Sequence, residues 1–284
     1  MSAYLLGRGA TLTAHAAARL GKAAELRAML DADPTLVHAR GGDGQTPLHF
    51  AATPEIAELL LSRGAAIDAL DIDHASTPAH WRAGSHPAVG AYLVSRGAAP
   101  DPFMAVRIGD VALLEKLVSR EAAGVDVRVT RERFPAPSPA AGHIYLYTIG
   151  EGCGLLHCAA DCGQAGAITW LAAHGADVGV RAGYDDATPL HNAAWNDQAA
   201  AVTALLDAGA DINAASGPMH HNEPIGWAIV GGSYGAFCAL KARGAAIKPH
   251  HVEDAKKGAA GAFRGFKPRK AVGEWERIAA ELQR

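Results

Sequence analysis

Aromatic residues are scarce in this 284-residue chain, at 6% against 49% hydrophobic residues overall. A large aromatic-centred core is therefore excluded. The apolar content is mostly Ala, Leu, Val and Ile, small side chains that let helices approach closely. Cysteine is also sparse, with four residues, too few and too clustered for a secreted disulfide framework. No charge of one sign dominates: 26 Lys and Arg face 29 Asp and Glu, a formal net charge of −3. That balance argues against a nucleic-acid binder, which needs a basic stripe, and the basic segment from Lys256 to Lys270 reads as a solvated face. No apolar run is long enough to span a bilayer. The first residues lack the basic segment and apolar core of a leader. The expectation is a cytoplasmic chain with no nucleic-acid and no membrane partner.

What the chain has in abundance is self-similarity. Residues 46–52 read Thr-Pro-Leu-His-Phe-Ala-Ala and residues 188–194 read Thr-Pro-Leu-His-Asn-Ala-Ala. Between them lie Thr77-Pro78-Ala79-His80-Trp81-Arg82-Ala83 and Leu155-Leu156-His157-Cys158-Ala159-Ala160. Each block leads into an apolar run ending in Gly-Ala, as in Leu59-Leu60-Leu61-Ser62-Arg63-Gly64-Ala65 and Leu205-Leu206-Asp207-Ala208-Gly209-Ala210. Gly64 to Gly97 is 33 residues, Gly175 to Gly209 is 34 and Gly209 to Gly244 is 35. Thr46 and Thr188 suit a helix N-cap, with Pro at the first helical position. The recurrent Gly suits a left-handed helix end. One such unit cannot bury its apolar face alone, so neighbours must stack.

These motifs resemble the ankyrin repeat, with its Thr-Pro-Leu-His start and Gly-Ala-Asp end, over most of residues 10–250. Strings such as Asp73-His74-Ala75-Ser76-Thr77-Pro78 and Pro224-Ile225-Gly226-Trp227-Ala228-Ile229 are similar to a subset of bacterial ankyrin-repeat proteins. The resemblance implies an all-α solenoid of about seven helix–turn–helix units, at about 10–43, 44–75, 76–101, 102–150, 151–186, 187–220 and 221–250. The whole chain, 1–284, then forms one domain, with 251–284 contributing a basic segment and a C-terminal capping helix on which Trp275, Ile278 and Leu282 share a face. It also implies that the motif His at 15, 49, 80, 157 and 191 bonds backbone between repeats.

The fourth unit departs from the period. Phe103 stands in for the motif His, and His157 follows 54 residues later, with the extra length in 127–152. There Pro135, Pro137 and Pro139 impose an extended loop. Residues 142–150, Gly-His-Ile-Tyr-Leu-Tyr-Thr-Ile-Gly, alternate and are β-branched and aromatic, so they read as a strand. Pairing with 125–129 would make an enlarged β-hairpin finger, and long insertions in repeat arrays emerge on the binding face.

In ankyrin proteins the residue after the motif His points into the concave groove. The resemblance therefore places Trp81 and Trp227 there, with Asn192, and one turn further on Arg107, Asp161 and Trp195. His143, Tyr145 and Tyr147 from the finger would close it. Aromatics beside a few polar groups are how binding sites are built, so the expectation is a scaffold holding a protein segment or a small-molecule ligand in this groove. The alternative is a small-molecule enzyme in which Asp161 works with His143 or His221 as an acid–base pair and Arg107 holds an anionic substrate. Cys153, His157, Cys158 and Cys162 lack the paired short spacing of a zinc site. No metal, no cofactor and a monomer are expected.

Overall fold

The computed structural model describes residues 7–9, 11–135, 141–183, 185–217, 223–263 and 272–283. His221, the proline loop beyond Pro135 and the part of the basic segment from Arg264 on lie outside them.

Among the described residues the chain is all-helical, with fifteen α-helices. These are α1 (Ala14–Arg19), α2 (Ala23–Ala32), α3 (Pro54–Ser62), α4 (Pro78–Ser85), α5 (Pro87–Ser95), α6 (Pro102–Ile108) and α7 (Val111–Val118). There follow α8 (Leu155–Cys162), α9 (Ala165–Ala173), α10 (Pro189–Trp195), α11 (Ala199–Asp207), α12 (Pro224–Val230), α13 (Tyr234–Ala242), α14 (Pro249–Ala259) and α15 (Val272–Leu282). The block at Thr46 forms only a 3-10 turn, Pro47–Phe50. Among the described residues, extended pairing is confined to two isolated bridges, Arg128 with Gly154 and Ala182 with Ala187.

The chain divides into two compact units, residues 1–108 with 129–148, and 109–128 with 149–284. In the first, α1, the Pro47–Phe50 turn, α4 and α6 stack in one row, and α2, α3 and α5 in another. In the second, α8, α10, α12 and α14 form one row, and α7, α9, α11, α13 and α15 the other. Alanines of the Ala-Ala pairs, such as Ala17, Ala51, Ala159 and Ala193, are fully buried. Their small size is what brings neighbouring helices together.

The repeated motif has a repeated physical job. The Nδ1 of His49, His80, His157 and His191 accepts the backbone N–H of the residue three before it, at 3.0, 3.0, 3.4 and 3.2 Å. That bond satisfies a donor left open at a helix start. The other ring nitrogen reaches the next repeat: His15 to the Gln45 carbonyl, His49 to that of Ser76 and His157 to that of Ala187, at 3.0, 3.2 and 3.1 Å. At the helix ends Gly64, Gly97, Gly175, Gly209 and Gly244 have φ between 85° and 103°. A Cβ there would meet nothing within 4 Å, so the requirement is conformational and not spatial.

Two expectations are corrected. The β-hairpin finger does not form: Gly124–Asp126 is a 3-10 turn and Leu146–Gly150 a π-helical turn. A strand would bury alternate side chains, whereas His143, Ile144 and Tyr145 are buried in succession at 3%, 6% and 0% exposure. The Ile144 N–H is held by the Ser76 hydroxyl at 3.1 Å, and Thr148 donates to the Ile144 carbonyl at 2.9 Å. In the fourth unit Asp101 takes the capping place, accepting the Met104 N–H at 2.9 Å. Met104, not Phe103, thus stands in the histidine's register.

The helix pairing also runs further than the motifs suggest. Lys248-Pro249-His250-His251 opens α14 as a degenerate motif block, with His251 Nδ1 accepting the Lys248 N–H at 3.1 Å. Trp275 and Ile278 of α15 are fully buried against it.

Candidate functional site

In the first unit the inserted residues 141–148 lie over α4 and α6 and build a polar and aromatic cluster. Pro78 starts α4, which carries His80 and Trp81. Because Asp101 caps α6, its carboxylate meets the Nε2 of His80 at 3.1 Å and accepts the Tyr145 hydroxyl at 3.0 Å. His80 thus reaches a carboxylate where its sister histidines reach a carbonyl. Burial alone would raise the carboxyl pKa of Asp101, but the His80 bond and charge, the Met104 N–H and the Tyr145 hydroxyl outweigh it and hold the group below its ordinary value.

His143 stacks on Phe134 at 4.8 Å and meets His80 and Tyr145 edge-on at 4.6 and 4.7 Å. Burial first, then the neighbouring His80, push its pKa down to about 3. It is a neutral imidazole whose Nδ1 accepts the Tyr145 N–H at 3.2 Å. Arg107 is 5% exposed. Its guanidinium lies 4.9 Å from the Tyr145 ring centre and donates to the Thr148 hydroxyl at 2.6 Å. It gets there past Gly84, where a Cβ would sit 2.7 Å from Nη1.

At the edge of this cluster the polar bonds give way to exposed rings. Asp71 is buried and accepts the backbone N–H of His74 and Ser76 at 2.8 and 3.2 Å and the Trp81 indole N–H at 2.7 Å. Trp81 meets the His74 ring edge-on at 5.2 Å, and His74 meets Tyr147 at 5.5 Å. Tyr147 is 61% exposed, with Leu70 at 51% and Ile72 at 60%. Trp81, Arg107, His143, Tyr145 and Tyr147 are thus brought together in the first unit.

Asp161, Asn192, Trp195 and Trp227 lie in the second unit. Trp195 and Trp227 meet edge-on at 5.9 Å, and Trp227 also meets His191 at 5.3 Å. Trp227 is 8% exposed and donates its indole N–H to Ser216 at 3.2 Å. Asp161 accepts from the side chain of Asn196 at 2.9 Å, one residue beyond Trp195. Cys153 is buried, and burial, with the nearby Asp161, raises its thiol pKa to about 12. It is a protonated core thiol.

One trio has the composition of a metal site: Glu223, His250 and His251, whose ligand atoms lie within 4.8 Å of one another. The proton arrangement does not suit a cation. His251 Nδ1 already accepts the Lys248 N–H, so its Nε2 carries the ring proton and has no lone pair to offer an ion, 3.5 Å from the Glu223 carboxylate. The Lys248 ammonium itself pairs with Glu223, supplying the positive charge an ion would bring.

Family models decide what these stacked units are. One for three ankyrin repeats matches residues 103–216, and one for a single ankyrin repeat matches residues 43–72, together just over half of the chain. This chain belongs to the ankyrin-repeat family. Among solved structures, the human ASB11 ankyrin repeat domain is similar at 20% identity and a TM-score of 0.48, over 84% of this chain and 100% of that one. No curated protein matches the sequence. Ankyrin repeats are generally protein-binding scaffolds. No helix among the described residues is long and apolar enough to cross a membrane.

Sequence reasoning missed Asp71, Asp101, Ser76 and Thr148, which anchor the ankyrin unit's inserted segment. None carries a motif. Beside near neighbours, they bond partners 10 to 68 residues away, and only folding brings those together.

Proposed function

We propose that this ankyrin-repeat chain is a protein-binding scaffold whose first unit presents Tyr147, His74 and Trp81 as its contact surface. The observation that carries the reading is Tyr147: 61% exposed, yet packed edge-on against His74, which is packed in turn against Trp81. A ring already held in place loses little conformational freedom on binding, so its burial contributes almost fully to affinity. Leu70 and Ile72 extend the apolar surface, and the Asp71 carboxylate beneath is already bonded to the Trp81 indole and to two backbone N–H groups. Trp195, resting on Trp227, is the corresponding contact in the second unit, with Asn192 and Asp161 beside it on their helices.

The acid–base alternative draws less support. His143 is buried, neutral and occupied at Nδ1, and Asp161 is bonded to Asn196. A photo-crosslinking residue placed at position 147 tests the scaffold reading. It is expected to trap one partner that the same residue at exposed Lys116 does not trap, and Ile72→Asp should abolish the trapping while the helical circular-dichroism spectrum persists. Equal yields at both positions, or trapping indifferent to Ile72→Asp, would remove Tyr147 from the contact surface.

A further inference from the structure

Arg82 occupies a place that its sister repeats give to alanine. It lies two residues after the motif His80, where the blocks of His15, His49, His157 and His191 have Ala17, Ala51, Ala159 and Ala193, each at 0% exposure. A guanidinium on a three-carbon stem therefore replaces a methyl group between packed helices. Its Nε is buried with no hydrogen-bond partner. Its Nη1 donates to Nδ1 of His86 at 3.3 Å, leaving most of its five N–H donors unused.

Arg19, in the last turn of α1, lies close enough for its charge to be felt by both Arg82 and His86. Its guanidinium stands 5.9 Å from the centre of the Phe50 ring. Several other arginines of this chain have carboxylate partners, Arg63 with Asp31, Arg96 with Glu58, Arg243 with Asp207 and Arg277 with Glu274, and Arg40 and Arg128 donate to backbone carbonyls. Among the described residues neither Arg19 nor Arg82 has a carboxylate partner. The Asp71 carboxylate, whose charge His49 feels along with that of Arg82, is already taken up by Trp81, His74 and Ser76. Burial first, then Arg19, lower the Arg82 pKa to about 10, so the group stays charged at neutral pH.

An unpaired, part-buried cation is unfavourable unless something offsets it. Two guanidiniums and an imidazole, with neither cation paired to a carboxylate, are the donor set that binds an oxyanion. We infer that Arg82, Arg19 and His86 form a binding site for one oxyanion group, a carboxylate or a phosphate. Two cations match a single anionic group and not a polyanion. The site shares no residue with the Tyr147 surface and stands or falls separately from it.

Thermal unfolding of the full chain tests this, in chloride, inorganic phosphate and acetate at matched ionic strength. Wild type is expected to gain about 2–4 °C over chloride in the anion that fits. Arg82→Ala, which restores the sister residue, and Arg82→Met, which keeps the stem, should both lose that gain. Arg19→Gln should lose part of it. A gain in phosphate alone assigns a tetrahedral anion, and one in acetate a carboxylate. In chloride, Arg82→Met should melt no lower than wild type, because an unpaired cation has been removed. The general effect of such salts on burial is common to all variants and cancels in the comparison. An equal gain in wild type and Arg82→Met, or no gain in either anion, would overturn the site.

Discussion

At the scale of single residues, the inserted segment is held by a few polar bonds that meet at Asp101. Its carboxylate is mostly buried, with 17% side-chain exposure, and joins His80 to Tyr145. A hydrogen bond to a charged acceptor stabilises more than a neutral one. Tyr145→Phe keeps the ring in its aromatic cluster and removes only the hydroxyl. It is expected to lower stability by about 1.5–3 kcal/mol in urea unfolding, with faster amide exchange over 141–148. Unchanged exchange in that segment would mean that the rings alone hold it. Arg107 shows why a site residue's environment is hard to read from its type. Arginine usually lies on the surface, but here the guanidinium passes Gly84, covers Tyr145 and bonds Thr148, so its role in the fold is as large as any role toward a ligand.

At the scale of elements, the last helix shows how a small residue positions a large one. Trp275 of α15 is fully buried, and its indole N–H donates to the Val230 carbonyl at 3.3 Å. A Cβ at Gly258 would lie 2.1 Å from Trp275 Cδ1, and one at Gly232 2.7 Å from its Cε2. The indole therefore occupies the space a side chain would need on both sides. Gly258→Val is expected to displace α15, at a loss of about 3 kcal/mol or more from the unburied indole and the overpacked contact. Hydrogen exchange over 272–283 would then rise while α8 and α10 keep their protection. Full protection of 272–283 in the variant would show that the slot is not what holds the helix. The inserted segment makes the opposite case: its alternation suited a strand, but β preference expresses the surface a strand packs on. Here no neighbouring strand was available, and a hydroxyl from Ser76 took the backbone donor.

At the scale of the whole molecule, buried histidines couple the fold to pH. Burial, the leading cause in each, lowers the pKa of His143 to about 3 and of His157 to about 4, and also lowers those of His49 and His251. The folded chain keeps these rings neutral at pH values where the unfolded chain protonates them. The unfolded state thus binds more protons below about pH 6.5. Stability is full above that pH and falls as the pH drops toward the folded values. His143 and His157, the two most strongly shifted, each add a slope approaching about 1.4 kcal/mol per pH unit. Urea midpoints should therefore fall steadily from pH 7 to pH 4.5. In His143→Phe, which can still stack on Phe134, the slope should be shallower by about one ring's share. An identical slope in the variant would show that His143 is protonated without loss.

How far the protein can be read from its chain follows from the range of each interaction. The Thr-Pro-x-His blocks, the glycines 33 to 35 residues apart and the apolar runs between them were enough for the helix pairs, because caps, left-handed ends and amphipathic faces are set within a few residues. The same local logic placed Trp275 and Ile278 on one face of the last helix. It failed at α14, where Lys248 and His250 replace the usual Thr and Leu, and at Met104, whose register depends on which residue caps α6. The clustering of Trp81, Arg107, His143, Tyr145 and Tyr147 was expected from a groove, but the residues that assemble it were invisible. Asp71, Ser76, Asp101 and Thr148 are ordinary polar residues until folding places their partners beside them. Arg82 was legible as an oddity in an alanine column, yet only the folded chain shows that no carboxylate comes to meet it. Short-range periodicity thus specified the repeats, whereas the charges and rings that distinguish one unit from the next were settled by contacts across tens of residues, which no local pattern encodes.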